Sequence, residues 1–142
     1  MSAHTTPAAL TPIEEVHAFL KKAGTYHLAT VADALPKNRP FGTALLFEGK
    51  LYFQTSRTKD VSRQIAENPA IAISAFDGKR WLRIDATAID DPRLAPKEAM
   101  LDDYPQLRTR YRAEAPDTQV LFLSDATATI EEFGAPKKTL RF

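Results

Sequence analysis

The sequence predicts a mainly β protein: an antiparallel β-barrel of six to seven strands with peripheral helices. Three observations predict it. Short segments rich in Val, Ile, Thr, Tyr and Phe follow one another quickly, punctuated by the turn signals Glu48-Gly49-Lys50 and Asp77-Gly78-Lys79. The segment Arg80–Ile89 alternates strictly, with Leu82, Ile84, Ala86 and Ala88 on one face and Trp81, Arg83, Asp85 and Thr87 on the other. Helical patterns are few and short, and closing the sheet on itself removes the exposed edges that so many strands would otherwise present.

Taken in order, residues 1–10 read as a flexible N-terminal arm and residues 11–142 as one domain. Thr11-Pro12-Ile13-Glu14 is a capping box with proline at the first helical position, and Ile13, Val16, Leu20 and Ala23 form an apolar stripe that ends at Gly24. Tyr26–Val31 is the first strand. Residues 33–38 are a turn, Arg39–Phe47 the second strand and Leu51–Thr55 the third. A short helix from about Lys59 to Glu67 stops before Pro69. Ala70–Phe76 and Arg80–Ile89 are the fourth and fifth strands, broken by Asp90-Asp91-Pro92. Residues 96–111 are helical with an interruption at Pro105. Val120–Leu123 and Ala126–Phe133 are two further strands, and Thr139–Phe142 is a short last one.

Composition excludes several chemistries. The 142 residues carry 19 basic and 18 acidic side chains, interspersed, for a net charge of +1. No basic run marks a nucleic-acid footprint. The absence of cysteine removes disulfides, thiolate metal sites and cysteine nucleophiles, and it fits a reducing cytoplasm. No apolar run is long enough to span a bilayer, and the first residues lack the charge and apolar core of a signal peptide. His4, His17 and His27 have no metal-ligand spacing, so no metal is expected. The acidic pairs Glu14-Glu15, Asp90-Asp91, Asp102-Asp103 and Glu131-Glu132 read as solvated carboxylates at element ends.

One segment carries chemistry. Thr55-Ser56-Arg57-Thr58-Lys59 brings hydroxyls and two cations to the start of a helix, where backbone N–H groups are free. That combination can hold a phosphate; a plain helix cap is the alternative reading. Arg39-Pro40-Phe41-Gly42 could add a second cation and a glycine that admits a flat ligand. The Trp81/Arg83 face suits a cofactor cleft or a subunit interface, or else an exposed strand face with one partly covered tryptophan.

These motifs, in this order and spacing, resemble the pyridoxamine 5′-phosphate oxidase-like family of FMN-binding split barrels. The resemblance runs from the first helix to Phe142 and rests on Tyr26–Val31, Arg39–Gly42, Leu51–Lys59, Gln64–Pro69 and Trp81–Ile84. It implies an FMN-binding split barrel acting as a homodimer, with the cofactor at the subunit interface and a small-molecule substrate. It further implies that Arg39 and Lys59 contact the FMN phosphate, with Thr55 and Ser56 nearby. Pro40, Phe41 and Gln54 would line the isoalloxazine and ribityl chain, and Trp81 and Arg83 the dimer face beside the flavin. Flavin-dependent reduction of a small organic compound, nitroreductase-like, is the implied activity. A non-catalytic FMN carrier or sensor and an F420-dependent reductase are its alternatives. The chain departs from many relatives at Asp85-Ala86-Thr87. It also ends at Lys138-Thr139-Leu140-Arg141-Phe142 without the Arg-rich segment of true pyridoxamine phosphate oxidases, so oxidation of pyridoxamine phosphate is not expected.

Overall fold

The computed structural model describes residues 9–142; the expected arm therefore lies outside the described residues except for Ala9 and Leu10, both exposed. The chain runs α1 (Pro12–Ala23), β1 (Tyr26–Ala32), β2 (Leu35–Phe41), β3 (Leu45–Phe47), β4 (Lys50–Ser56), α2 (Asp60–Glu67), β5 (Ala70–Phe76), β6 (Trp81–Asp91) and α3 (Leu94–Asp103). A 3₁₀ turn (Pro105–Thr109), β7 (Thr118–Glu131) and β8 (Lys138–Arg141) complete it. All eight strands belong to one antiparallel sheet ordered β2-β1-β5-β6-β7-β4-β3, with β8 also on β7. The mainly β split-barrel expectation holds; the strand number is eight rather than six to seven.

One strand is gained where the second expected strand divides into β2 and β3. The turn after β1 is only Asp33-Ala34, both at positive φ (52° and 63°), so residues 35–38 extend β2 instead of looping. Paired positive φ angles match the twist of a two-residue hairpin, and an aspartate supports it. The predicted strand Arg39–Phe47 then breaks at residues 42–44. Its first half pairs with β1 and its second half with β4, at opposite ends of the sheet path. Side chains hold the crossing: the Tyr26 hydroxyl donates to the Thr43 carbonyl at 2.6 Å, and the Ala44 N–H donates to the Tyr104 hydroxyl at 3.0 Å.

The reverse happens at the other end of the chain. Val120–Leu123 and Ala126–Phe133 merge into the single strand β7, which bulges where Thr87 pairs with Ser124 but Asp85 with Thr127. Asp125 takes φ 51° there. Either side of this bulge, β7 changes partner from β4 to β8. Phe133 lies beyond the strand. β6 likewise continues through Asp90 and Asp91, which pair with Leu121 and Val120.

The helices cover two faces. Val16, Phe19 and Leu20 of α1 and Val61 and Ile65 of α2 pack with Leu28, Phe53, Ile73, Leu82 and Ile84 in the main core. The Thr11 capping box forms as expected, with the Glu14 N–H on the Thr11 hydroxyl and the Thr11 N–H on the Glu14 carboxylate. A smaller core of Leu45, Tyr52, Met100 and Val120 lies under α3. β4 is therefore covered on both faces: every residue from Leu51 to Ser56 is buried. This double coverage puts a polar side chain, Gln54, inside the protein.

Candidate functional site: a cationic cleft at the start of helix α2

Two edges meet beside the N-terminus of α2. The end of β2 and the bend after it contribute Arg39, Pro40, Phe41, Gly42 and Thr43. The strand β4 contributes Gln54, and the helix start contributes Lys59 and Val61. Together with Leu107, Arg110 and Tyr111 they enclose a cleft of about 270 Å³.

Arg39 is the inner cation. Cα partners across antiparallel strands share a face, and Arg39 stands opposite Leu28, which stands opposite the buried Ile73. Its guanidinium therefore turns toward the barrel. It donates to the Leu28 carbonyl at 3.1 Å, to the Thr30 hydroxyl at 2.9 Å and to the Gln64 side-chain oxygen at 2.6 Å. Partial burial lowers its pKa from the ordinary arginine value, with Asp60 opposing weakly. Two of its five N–H donors remain for a ligand.

The α2 N-terminus is open. Lys59 is its N-cap, with no side-chain capping bond. The Asp60 and Val61 N–H groups find no acceptor among the described residues. Unsatisfied first-turn donors carry partial positive charge. Arg39, Lys59 and Arg110 form no ion pair with any carboxylate among the described residues. The nearby Asp60 is engaged by Arg63 at 3.0 Å.

Gln54 completes the site. It is 6% exposed, and neither atom of its carboxamide has a hydrogen-bond partner among the described residues. Its backbone N–H is anchored to the Thr43 hydroxyl at 2.9 Å. A buried amide without partners costs free energy in the isolated chain, on the order of 1–3 kcal/mol. A ligand with donors and acceptors would satisfy it.

Other sequence-predicted residues lie elsewhere. Arg57 turns away to Asp90, at 3.1 Å, and Asp90 also accepts from Gln119 at 2.9 Å. The pair of cations expected at the helix start is thus reduced to Lys59. Thr55 shares the inward face of Leu51 and Phe53, and its buried hydroxyl has no partner among the described residues. Ser56 bonds the Thr58 hydroxyl at 2.8 Å. Neither Thr55 nor Ser56 lines the cleft. A Cβ at Gly42 would meet only the Gly24 carbonyl, at 3.7 Å, so within the chain nothing demands glycine there. Phe41 stacks on Tyr26 and meets Phe53 edge-on.

Trp81 and Arg83 lie on the opposite face of the sheet from Arg39. Arg83 is in one outward row with Thr129, Ser74, His27 and Pro40. Trp81 packs edge-on against Phe76 and against Phe133, which is 91% exposed. These residues border a separate groove of about 870 Å³. Within one chain neither Trp81 nor Arg83 lines the cationic cleft; Pro40 is the cleft residue in their outward row. Leu107 lies within a 3₁₀ turn, and Arg110 and Tyr111 follow it; the placement of that turn depends on α3, so no local pattern marks these residues. No group of His, Asp and Glu suited to a metal occurs among the described residues. Among these residues no helix is long and apolar enough to cross a membrane.

A family model for pyridoxamine 5′-phosphate oxidase matches residues 12–128. The chain belongs to that family. A NimC/NimA family protein from Clostridium acetobutylicum is 31% identical, with 92% of each chain covered and a TM-score of 0.90. A pyridoxamine 5′-phosphate oxidase-related, FMN binding protein from Nostoc punctiforme is 19% identical, covering 92% of this chain and 90% of that one, with a TM-score of 0.66. A heme binding protein from Mycobacterium smegmatis is 15% identical over 94% of this chain and 59% of its own, with a TM-score of 0.69. The last two likenesses establish the fold alone. No curated protein matches the chain.

Proposed function

We propose that this member of the family binds FMN in the cationic cleft and acts as a flavin-dependent oxidoreductase on a small organic substrate. The observation that carries the reading is the conjunction at one place of unpaired cations, free helix-start amides and an unpartnered buried carboxamide. The residues fit the cofactor. Arg39 and Lys59 would take the phosphate with the Asp60 and Val61 amides, a charge-assisted arrangement. Gln54 would hydrogen-bond the ribityl or ring edge, and Pro40 and Phe41 would pack against the ring. When bound, the flavin supplies hydride and electron transfer. The chain's own part is to anchor, orient and shield it.

We further propose that the working form is a homodimer. The cleft, at about 270 Å³, is smaller than the roughly 300–1,000 Å³ usual for cofactor-sized ligands. One chain therefore encloses part of the ligand. The aromatic trio Phe76, Trp81 and Phe133, with Arg83 beside it, has the composition of an interface core. A partner's copy of this face would cover the remainder.

The visible spectrum of the purified protein tests the cofactor. Flavin bands released with denaturant, and tight rebinding of FMN, are expected; a colourless protein with no affinity for FMN refutes the reading. Anaerobic reduction followed by mixing with nitroaromatics, quinones and oxygen tests the activity. Reoxidation no faster than that of free reduced FMN would instead indicate a carrier.

A further inference from the structure

We propose that Arg110 is a third anion-binding cation of the cleft and makes it selective for a phosphate monoester in its dianionic form. The flavin part of this proposal rests on the cofactor reading above; the phosphate part stands on the chain itself.

Three arginines alternate in Arg108-Thr109-Arg110-Tyr111-Arg112, and their partners differ. Arg108 pairs with Asp102, and Arg112 with Glu114 at 3.5 Å. Arg110, between them, has no carboxylate among the described residues and lines the cleft with Leu107 and Tyr111. Its root is fixed. The Arg110 N–H donates to the Leu107 carbonyl at 3.0 Å, and the Tyr111 N–H donates to the same oxygen at 2.8 Å. Its side chain is exposed at the rim, whereas Arg39 is half-buried at the floor.

Arg39, Lys59 and Arg110 thus border one small cleft; salt screens charges less the closer they lie within the Debye length, about 8 Å at physiological ionic strength, and the less exposed they are. Among the described residues no carboxylate pairs with any of the three, and Asp60, which acts weakly on Arg39, is engaged by Arg63. A phosphate monoester carries about −1.5 to −2 charges near pH 7, with its second ionisation near pH 6. Two cations and helix-start amides already suit a monoanion. The third favours the dianion, and the guanidinium fork matches two phosphate oxygens. Gln54 is the independent sign of a ligand: more than nine-tenths buried, it lines the same cleft with both amide atoms unpartnered.

The test titrates the full chain with inorganic phosphate, followed by ³¹P NMR, and with FMN and riboflavin, followed by flavin fluorescence, between pH 5 and 8. Wild type, Arg110→Gln and Arg110→Lys are compared, with thermal melts as a control on folding. Arg110→Gln should weaken phosphate and FMN about tenfold at pH 7.5, the size of one charge-assisted bond, and leave riboflavin within about twofold. It should also flatten the rise in FMN affinity between pH 5 and 7, and Arg110→Lys should restore part of both. Unchanged phosphate and FMN binding in Arg110→Gln, or equal weakening of riboflavin, would overturn the role of Arg110 while leaving the flavin reading intact. Arg110-dependent phosphate binding without flavin binding would overturn the flavin reading alone. Wild type that binds neither phosphate nor FMN refutes both.

Discussion

The Arg39 guanidinium donates to the Gln64 carboxamide oxygen at 2.6 Å, and this bond ties the edge strand β2 to the helix α2. The Thr30 hydroxyl donates to the same oxygen at 2.5 Å. One glutamine on the buried face of α2 thus fixes the floor cation against the helix whose N-terminus opens on the cleft.

Gln64→Leu should therefore act at two levels. It leaves the half-buried Arg39 short of one partner and Thr30 short of an acceptor, costing about 1–3 kcal/mol of stability by urea denaturation. FMN affinity should also fall, because Arg39 is no longer held in place. A variant with wild-type stability and wild-type affinity would show that the bond matters to neither.

Gln54→Met should separate function from stability. Replacing a buried, unpartnered amide with an apolar side chain of similar shape removes a desolvation cost. The ligand-free protein should become more stable, by about 1 kcal/mol, while FMN binds more weakly. A variant that loses stability would mean that Gln54 has a structural role. One that binds FMN as wild type does would remove it from the site.

Lys59→Ala should weaken FMN by about tenfold to a hundredfold and riboflavin little, since only FMN has the phosphate that a charged donor would hold. Lys59 is exposed and makes no ion pair among the described residues, so the melting temperature should not move. Equal losses for the two flavins, measured by fluorescence titration, would refute the anchoring role.

Trp81→Ala should loosen the homodimer and release flavin together. The tryptophan sits in an exposed aromatic cluster, and aromatic anchors often dominate interfaces. Light scattering with absorbance detection checks it; a wild-type monomer holding full cofactor would contradict the dimer.

Acid should destabilise the fold in two ranges. His17 is held neutral, its pKa lowered chiefly by burial and then by Lys21. The unfolded chain binds the proton more readily, so stability should begin to fall below about pH 6.5. Asp91 is lowered from 3.8 to about 2, first by the Arg93 hydrogen bond, against burial, and then by the Tyr52 hydroxyl at 2.8 Å. Its contribution is present above pH 3.8 and lost as pH falls toward 2. Its size is about 2 kcal/mol. Asp91→Asn should remove that lower-range loss and lower stability at pH 7. Urea midpoints between pH 2 and 8 that keep the same slope below pH 4 in the variant would refute the assignment.

The features legible from the sequence are the local ones. The Thr11 capping box, the inward row Leu82, Ile84 and Ala88, and the passage from β4 through Lys59 into α2 each depend on residues a few positions apart. Turn chemistry, alternation and helix periodicity act over that range. Arg39 and Lys59 stand out as cations near element ends, Gln54 enters only through the family resemblance, and the tertiary structure brings all three to one cleft. Strand pairing is settled only across the whole chain. The stretch from Arg39 to Phe47 looks continuous, yet it splits because its halves bond to strands at opposite ends of the sheet path. The two segments around Asp125 look separate, yet one strand spans them because β6 offers a partner along the whole length and a bulge absorbs the extra residue. The same non-local choice separates Arg39 from Trp81 onto opposite faces, turns Arg57 to Asp90, and brings Arg110 from beyond α3 to a cleft built mostly by residues 39–61. Strand partners and helix docking are selected by burial across the whole chain, and no short window of sequence contains that competition.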